Sequence, residues 1–287
     1  MSGEPVRQQV RSFYDEIGWQ KEADGLYQNA RYEDLRPVSA EYIHRCHLRV
    51  NRHLAPEGRY LLDAGSGPVQ YPEYLTYSQG YQYRVCADLS IVALQEARRR
   101  LGNHALCVVA DVAHLPFAPE AFDGVVSLHT LHHLPLEEQP GAYQELFRVL
   151  KSGKKGVVVN GWTDSPLMRR WAPLVTLVER LGTWLARLRG RAVSAEKKAG
   201  ATPSRPTGTF VRKLDAAWLR EHLEGKIPYE IYVWRSVSVR WLRALIHPIT
   251  AGKWWLKWLY WLEERNPRWY GENGQYPMIV ISKERRS

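Results

Sequence analysis

The chain has 287 residues, 45% hydrophobic and 24% charged, enough to bury a full core as one large domain or a domain with an added lobe. Its three cysteines, Cys46, Cys86 and Cys107, form no CxxC pair, which argues against a disulfide framework or thiolate zinc site and for a reducing compartment. The net charge of +10 is uneven: residues 1–165 hold 17 basic and 20 acidic side chains, whereas residues 166–287 hold 23 and 10, with ten of the twelve tryptophans. A basic, Trp-rich second half points to an anionic surface, either membrane or nucleic acid, or to no more than a solvated basic face.

Met1 to Val10 is polar and lacks an apolar h-region, so no signal peptide is expected. Residues 5–19 and 38–54 have helical spacing, and residues 1–58 read as an N-terminal helical cap. From 59 to 161 short apolar runs alternate with helical patterns, as in a parallel α/β sheet. Strands are predicted at Tyr60–Ala64, Tyr83–Ala87, Ala105–Ala110, Phe122–Leu128 and Gly156–Asn160, with helices after Tyr71, over Ile91–Leu101 and over Glu138–Leu150. Lys151-Ser152-Gly153 stops the last of these. Residues 162–287 should complete the sheet. Within them Leu167, Trp171, Leu174, Val178, Leu181, Leu185 and Leu188 mark an amphipathic helix over 165–189. Residues 190–208 read as a mobile loop, Leu214–Leu223 as a helix, and Tyr229–Trp234 and Tyr276–Ser282 as the last strands, flanking a Trp-rich helical insertion at 240–269.

The first predicted strand closes in Leu61-Leu62-Asp63-Ala64-Gly65-Ser66-Gly67. Glycines there let the backbone approach a nucleotide-like ligand and turn tightly into a helix. Alone, such a turn is common. Asp88 lies 21 residues beyond Gly67 at the end of the second strand, where a carboxylate can accept both ribose hydroxyls. Asp111 closes the third strand, and Val112 follows it, placed to read an adenine edge. All three acids stand at carboxyl ends of adjacent strands, where open sheets bind ligands.

These segments, with Phe122-Asp123-Gly124-Val125-Val126-Ser127, Leu131-His132-His133-Leu134 and Leu146-Phe147-Arg148-Val149-Leu150-Lys151-Ser152-Gly153, resemble the ordered motifs of class I S-adenosylmethionine-dependent methyltransferases. The type is that of the type-11 domains found in ubiquinone and menaquinone methyltransferases and small-molecule relatives. The resemblance implies an α/β, Rossmann-like fold: a seven-stranded, mostly parallel sheet with helices on both faces, an N-terminal helical cap and an inserted C-terminal helical lid. It implies S-adenosylmethionine as cofactor. Gly65, Ser66 and Gly67 would line its methionine part, with Asp63 holding the ammonium through the turn or a water and the strand end Leu128-His129 offering a carbonyl. Asp88 and Leu89 would take the ribose, and Asp111 and Val112 the adenine. Tyr14 and Trp19 resemble the N-terminal segment that folds over the cofactor in this family, while Phe13 and Ile17 can be core. Where the family often has a third glycine this chain has Val69, preceded by Pro68, which stiffens the turn.

A dinucleotide reading competes for the same turn. It needs Gly-x-Gly-x-x-Gly, but position 70 is Gln70, and Asp111 has no role in that scheme. His129, His132 and His133 allow three readings: one of them as a general base toward the acceptor, a structural role capping the next helix, or a metal site, of which the last is not expected. A base is not required, because the sulfonium is already an excellent methyl donor and alignment supplies most of the acceleration.

The run Trp254-Trp255-Leu256-Lys257-Trp258-Leu259-Tyr260-Trp261-Leu262 is too short and too broken by lysine to span a bilayer. With the Leu167–Leu188 helix and its arginines, it suits a membrane interface; alternatively, both helices pack as a lid over the substrate pocket with tryptophans as core. The resulting expectation is methyl transfer to a small, lipophilic acceptor through oxygen, nitrogen or carbon, in the cytoplasm or peripherally on the inner face of a membrane. Two alternatives stand. One is RNA methylation by the basic C-terminal part, although Ser127-Leu128-His129-Thr130 is not the Asn-Pro-Pro-aromatic pattern of adenine N6 methylation and no Pro-Cys pair is present. The other is a non-catalytic, cofactor-binding peripheral membrane protein. Oligomeric state has no signature in the sequence.

Overall fold

Continuous apolar runs along five parallel strands build the centre of the molecule. β1 (Gly58–Ala64), β2 (Tyr81–Asp88), β3 (Ala105–Val109), β4 (Gly124–Leu128) and β5 (Lys155–Val159) are joined by β6 (Tyr229–Arg235) and β7 (Tyr276–Ser282). The order is β3-β2-β1-β4-β5-β7-β6, and β7 runs antiparallel to both neighbours. The computed structural model describes residues 3–20, 27–28, 33–188 and 209–284. The loop expected at 190–208 lies outside the described residues.

Successive side chains of a strand face opposite sides, and the sheet is buried on both. Leu62, Val85, Val125 and Val158 join one core with α5 (Gln139–Val149) and α7 (Ala216–Leu223). Leu61, Cys86, Val126 and Val157 join the other, with α4 (Ile91–Leu101), Tyr74 and Tyr77. The capping chemistry is local. Ser90 opens α4 by accepting from the Ala93 amide at 3.1 Å, and Gly102, at φ 58°, closes it. The helix expected after Tyr71 is a single turn, Pro72–Leu75, continued by a 3₁₀ turn over Thr76–Ser78.

The cap contains α1 (Gly3–Phe13), a π-helical turn at Tyr14–Gly18 and α2 (Ala40–Leu48). The second half adds α6 (Pro166–Leu188), α8 (Val239–Leu245), α9 (Gly252–Arg265) and α10 (Pro267–Asn273). The expected seven-stranded sheet, cap and inserted helices are all there. The expectation that the tryptophans form a lid core is corrected, however: Trp254, Trp255, Trp258 and Trp261 are exposed, and α9 instead buries Leu256 and Tyr260 against Tyr42 and Ile43 of α2. Hydrophobic contact with α2 needs only one stripe of α9, so the rings on the other stripe stay outside. No described helix is long and apolar enough to cross a membrane.

Candidate active site

Strand order reverses between β1 and β4, and a cleft opens there at the carboxyl ends of the strands, as such switch points dictate. Its lining brings together every residue assigned from sequence to the cofactor: Tyr14, Asp63, Gly65, Ser66, Gly67, Asp88, Leu89, Asp111, Val112, Leu128 and His129. His133 lines it too, whereas His132 lies in the neighbouring cavity.

The glycine turn is built for close approach. Gly65 and Gly67 take φ of 73° and 52°, a region that costs residues with a Cβ. A Cβ on Gly65 would lie 2.2 Å from the Thr130 side chain, and one on Gly67 would meet the Trp19 ring at 2.9 Å. Val69, in the place of the third glycine, also sits at φ 53° with its side chain fully buried. A β-branched residue there is strained, so the turn holds a left-handed conformation at Val69 without the glycine that would adopt it freely.

Asp88 accepts from the Gly67 amide at 2.8 Å through one oxygen and from the Ser90 amide at 2.8 Å through the other. Desolvation in the cleft raises its pKa to about 6 against these two donors. Asp63 is more committed than expected: its Oδ2 takes both Nε and an NH₂ group of buried Arg84, at 3.0 and 2.5 Å. Any contact with an ammonium therefore falls to the other oxygen. Asp111 accepts from Arg7 Nε at 2.5 Å and from the Ala113 amide at 3.0 Å, and Arg7 also reaches Glu138 at 2.8 Å. Sequence reasoning missed Arg7, which α1 delivers from 104 positions away. The π-helical turn that follows α1 places Tyr14 stacked on Trp19 at 4.9 Å. Trp19 lines the cleft, and its buried indole N–H finds no acceptor among the described residues. A ligand rich in acceptors, such as an amino-acid carboxylate, fits that donor. With the carboxylate at Asp88 and the open glycine turn, the residues suit a cofactor that joins a free amino acid to a nucleoside.

The three histidines differ. His133 donates from Nδ1 to the Phe210 carbonyl at 2.7 Å, so its Nε2, 2.8 Å from the Tyr14 hydroxyl, accepts. Both nitrogens are in use. His132 Nδ1 lies 3.1 Å from Asn160 Oδ1, which leaves its Nε2 for a ligand. His129, at φ 56°, packs its ring against Trp234 and Tyr276. Burial pushes His129 down to about 3 and His133 to about 4, and His132 is lowered in the same direction; the Arg235 charge adds to the effect for His129, and the neighbouring imidazoles for His132. All three are neutral near pH 7: good hydrogen-bond partners, and weak bases. Among the described residues no three His, Cys, Asp or Glu side chains are grouped to hold a metal.

A second cavity of about 290 Å³ shares Tyr14, Gln70, Tyr74, His129 and His133 with the cleft. Phe13, Tyr71, Val211 and Tyr276 make much of its remaining wall apolar or aromatic, and His132, Glu33 and Lys213 bring polar groups. Glu33 is taken by Arg235. The Lys213 ammonium, which rests over Gly161, has no hydrogen-bond or carboxylate partner among the described residues, and burial lowers its pKa. Neither cavity is lined by α6, α8 or α9.

Residues 62–158 match the family described as a methyltransferase domain. An uncharacterized methyltransferase of Geobacillus sp. is 36% identical over 123 residues, 43% of this chain and 55% of its own length. A tRNA (carboxymethyluridine(34)-5-O)-methyltransferase of Arabidopsis thaliana is 28% identical over 159 residues, 48% of this chain and 37% of its own length. The chain thus spans about half or less of the curated relatives it matches. Among solved structures, phosphoethanolamine N-methyltransferase 1 of Haemonchus contortus, in complex with phosphoethanolamine and S-adenosylhomocysteine, aligns over 100% of this chain and 52% of its own, with a TM-score of 0.59 and 10% identity. At that identity the likeness speaks for the fold.

Proposed function

With residues 62–158 forming a class I, type-11 methyltransferase domain whose methyl donor is S-adenosylmethionine, we propose that this protein moves that methyl group to a small acceptor seated beside His129 and His132. The observation that carries this reading is the second cavity, which shares five residues of its wall with the cofactor cleft. A ligand in one space then lies next to a ligand in the other. Bound, the cofactor supplies an activated methyl on a sulfonium.

The protein's own part is to bind and align. Asp88 would accept from the ribose, Gly65 to Gly67 would admit the methionine part, and Asp111 and Val112 would face the adenine. Tyr14, held by His133, and Trp19 would close the cleft and exclude water. His132, neutral and bonded to Asn160, would accept a hydrogen bond from the nucleophile and orient it; so weak a base takes a proton only from an acceptor that is itself acidic. Alignment at near-attack distance would supply most of the acceleration. The apolar and aromatic walls favour a lipophilic acceptor body, and Lys213, without a partner among the described residues, favours an acidic substituent on it.

The test has two parts. S-adenosylhomocysteine should bind by calorimetry. Labelled methyl from S-adenosylmethionine, incubated with cell extract, should then partition into small organic acids, and Lys213→Met should cut that labelling at least about tenfold with calorimetric binding unchanged. No binding sinks the cofactor reading. Label confined to RNA would instead support the second reading, which the Arabidopsis relative and the basic second half favour.

A further inference from the structure

The outer face of α9 has no role in either cavity. Trp254, Trp255, Trp258 and Trp261 stand on it, with Trp254 at 74% exposure, together with Lys253, Lys257 and Arg265. None of these three cations meets a carboxylate among the described residues; Lys257 and Arg265 instead lie over the Trp254 and Trp261 rings, at 5.5 and 4.2 Å. The acids of the same helix are spent elsewhere, Glu263 on buried Arg49 and Glu264 on Arg49 and Arg52. Ile249, just ahead of the helix, is 98% exposed.

A second apolar face lies close by in the fold. Met168 of α6 packs against the same cluster of α2, α8 and α9 side chains that seats α9. Beyond it α6 leaves Leu177, Leu181, Trp184 and Leu185 exposed, alongside Arg180 and Arg187, which meet no acid among the described residues. Its one acid, Glu179, is taken by Arg240.

We propose that α9 and α6 seat this protein on an anionic lipid bilayer surface, with the indoles at headgroup depth and the lysines and arginines against phosphates. Indole rings and cations together favour that depth, and anionic lipid attracts each nearby cation. Two other occupants fit less well. A second copy meeting this face symmetrically would set cation against cation with no acid to answer. Single-stranded nucleic acid would stack on the indoles, but it offers nothing to Ile249, Leu177, Leu181 and Leu185, which hydrocarbon would cover. The inference goes beyond the catalytic reading and stands without it.

The test is co-sedimentation of the full chain with phosphatidylcholine vesicles containing about 30% phosphatidylglycerol. Wild type should pellet with these vesicles and remain in solution with phosphatidylcholine alone. The combined W254S, W258S and W261S substitutions should weaken sedimentation at least about tenfold, and so should K253E, K257E and R265E together. Both sets lie outside the two cavities, so S-adenosylhomocysteine binding and the thermal midpoint confirm that the variants fold. Wild type left in the supernatant, or both variants pelleting as wild type does, overturns the proposal. So does a wild-type dimer in solution, or retention of a mixed RNA oligonucleotide, that the tryptophan variant loses.

Discussion

Lowering pH should loosen the cofactor through Asp88 alone. Its carboxyl has a pKa of about 6, raised by desolvation, and only the ionised form accepts from both ribose hydroxyls. If the neutral form binds negligibly, the apparent dissociation constant grows by one plus ten to the power pKa minus pH. That is a change of about 3% at pH 7.5 and about elevenfold at pH 5, or roughly 1.4 kcal/mol. The neighbouring histidines do not blur this window, since His129 and His133 titrate near 3 and 4. The apo fold responds in the opposite sense. A carboxyl whose pKa is raised above its unfolded value of about 3.9 destabilises the fold when ionised, so its contribution to apo stability improves as pH falls from about 6 toward 4. Calorimetric titration with S-adenosylhomocysteine between pH 7.5 and 5, on wild type and Asp88→Asn, measures the effect. The variant should bind weakly and show no step. A wild-type affinity that is flat down to pH 5, or the same step in the variant, would refute the role given to Asp88.

Two substitutions in the glycine turn test the backbone argument. Gly65→Ala should abolish S-adenosylhomocysteine binding and destabilise by about 2 kcal/mol or more, because it adds left-handed strain to a Cβ that collides with Thr130; urea denaturation and calorimetry report the two losses. Val69→Gly sets two effects against each other. It relieves about 1–2 kcal/mol of strain at φ 53° but empties a fully buried site worth about 1.5–3 kcal/mol, with the cavity and added backbone freedom on top. The net expectation is destabilisation by roughly 1–2 kcal/mol in urea; a Val69→Gly variant more stable than wild type would show that strain outweighs packing.

The sheet was legible because its strands are continuous apolar runs, and the acids closing them stand where a parallel strand must end. The cleft was legible for the same reason, since Asp63, Asp88 and Asp111 stand at or just past the carboxyl ends of three adjacent strands and line one cleft. Arg7 was not, because one arginine on a short helix carries no sign that it meets an acid 104 positions on. Lys213 was equally silent: its neighbours in sequence are ordinary, and only the fold leaves it in a cavity whose one described carboxylate, Glu33, is taken by Arg235.

The sequence by itself determined the nucleoside cleft and the basic, Trp-rich character of the second half, because glycine turns, strand-end acids and composition are local properties. Tertiary structure decided what that second half presents. Arg49 reaches Glu263 across 214 positions and Arg235 reaches Glu33 across 202, both pairs buried. Partners so far apart in the chain meet only once α2, α9 and β6 have packed, and Glu263 is then removed from the surface. Helical periodicity places the α9 tryptophans on a stripe but cannot say whether another helix covers it. Here α2 covers the opposite stripe, and the indoles and lysines are what the solvent meets.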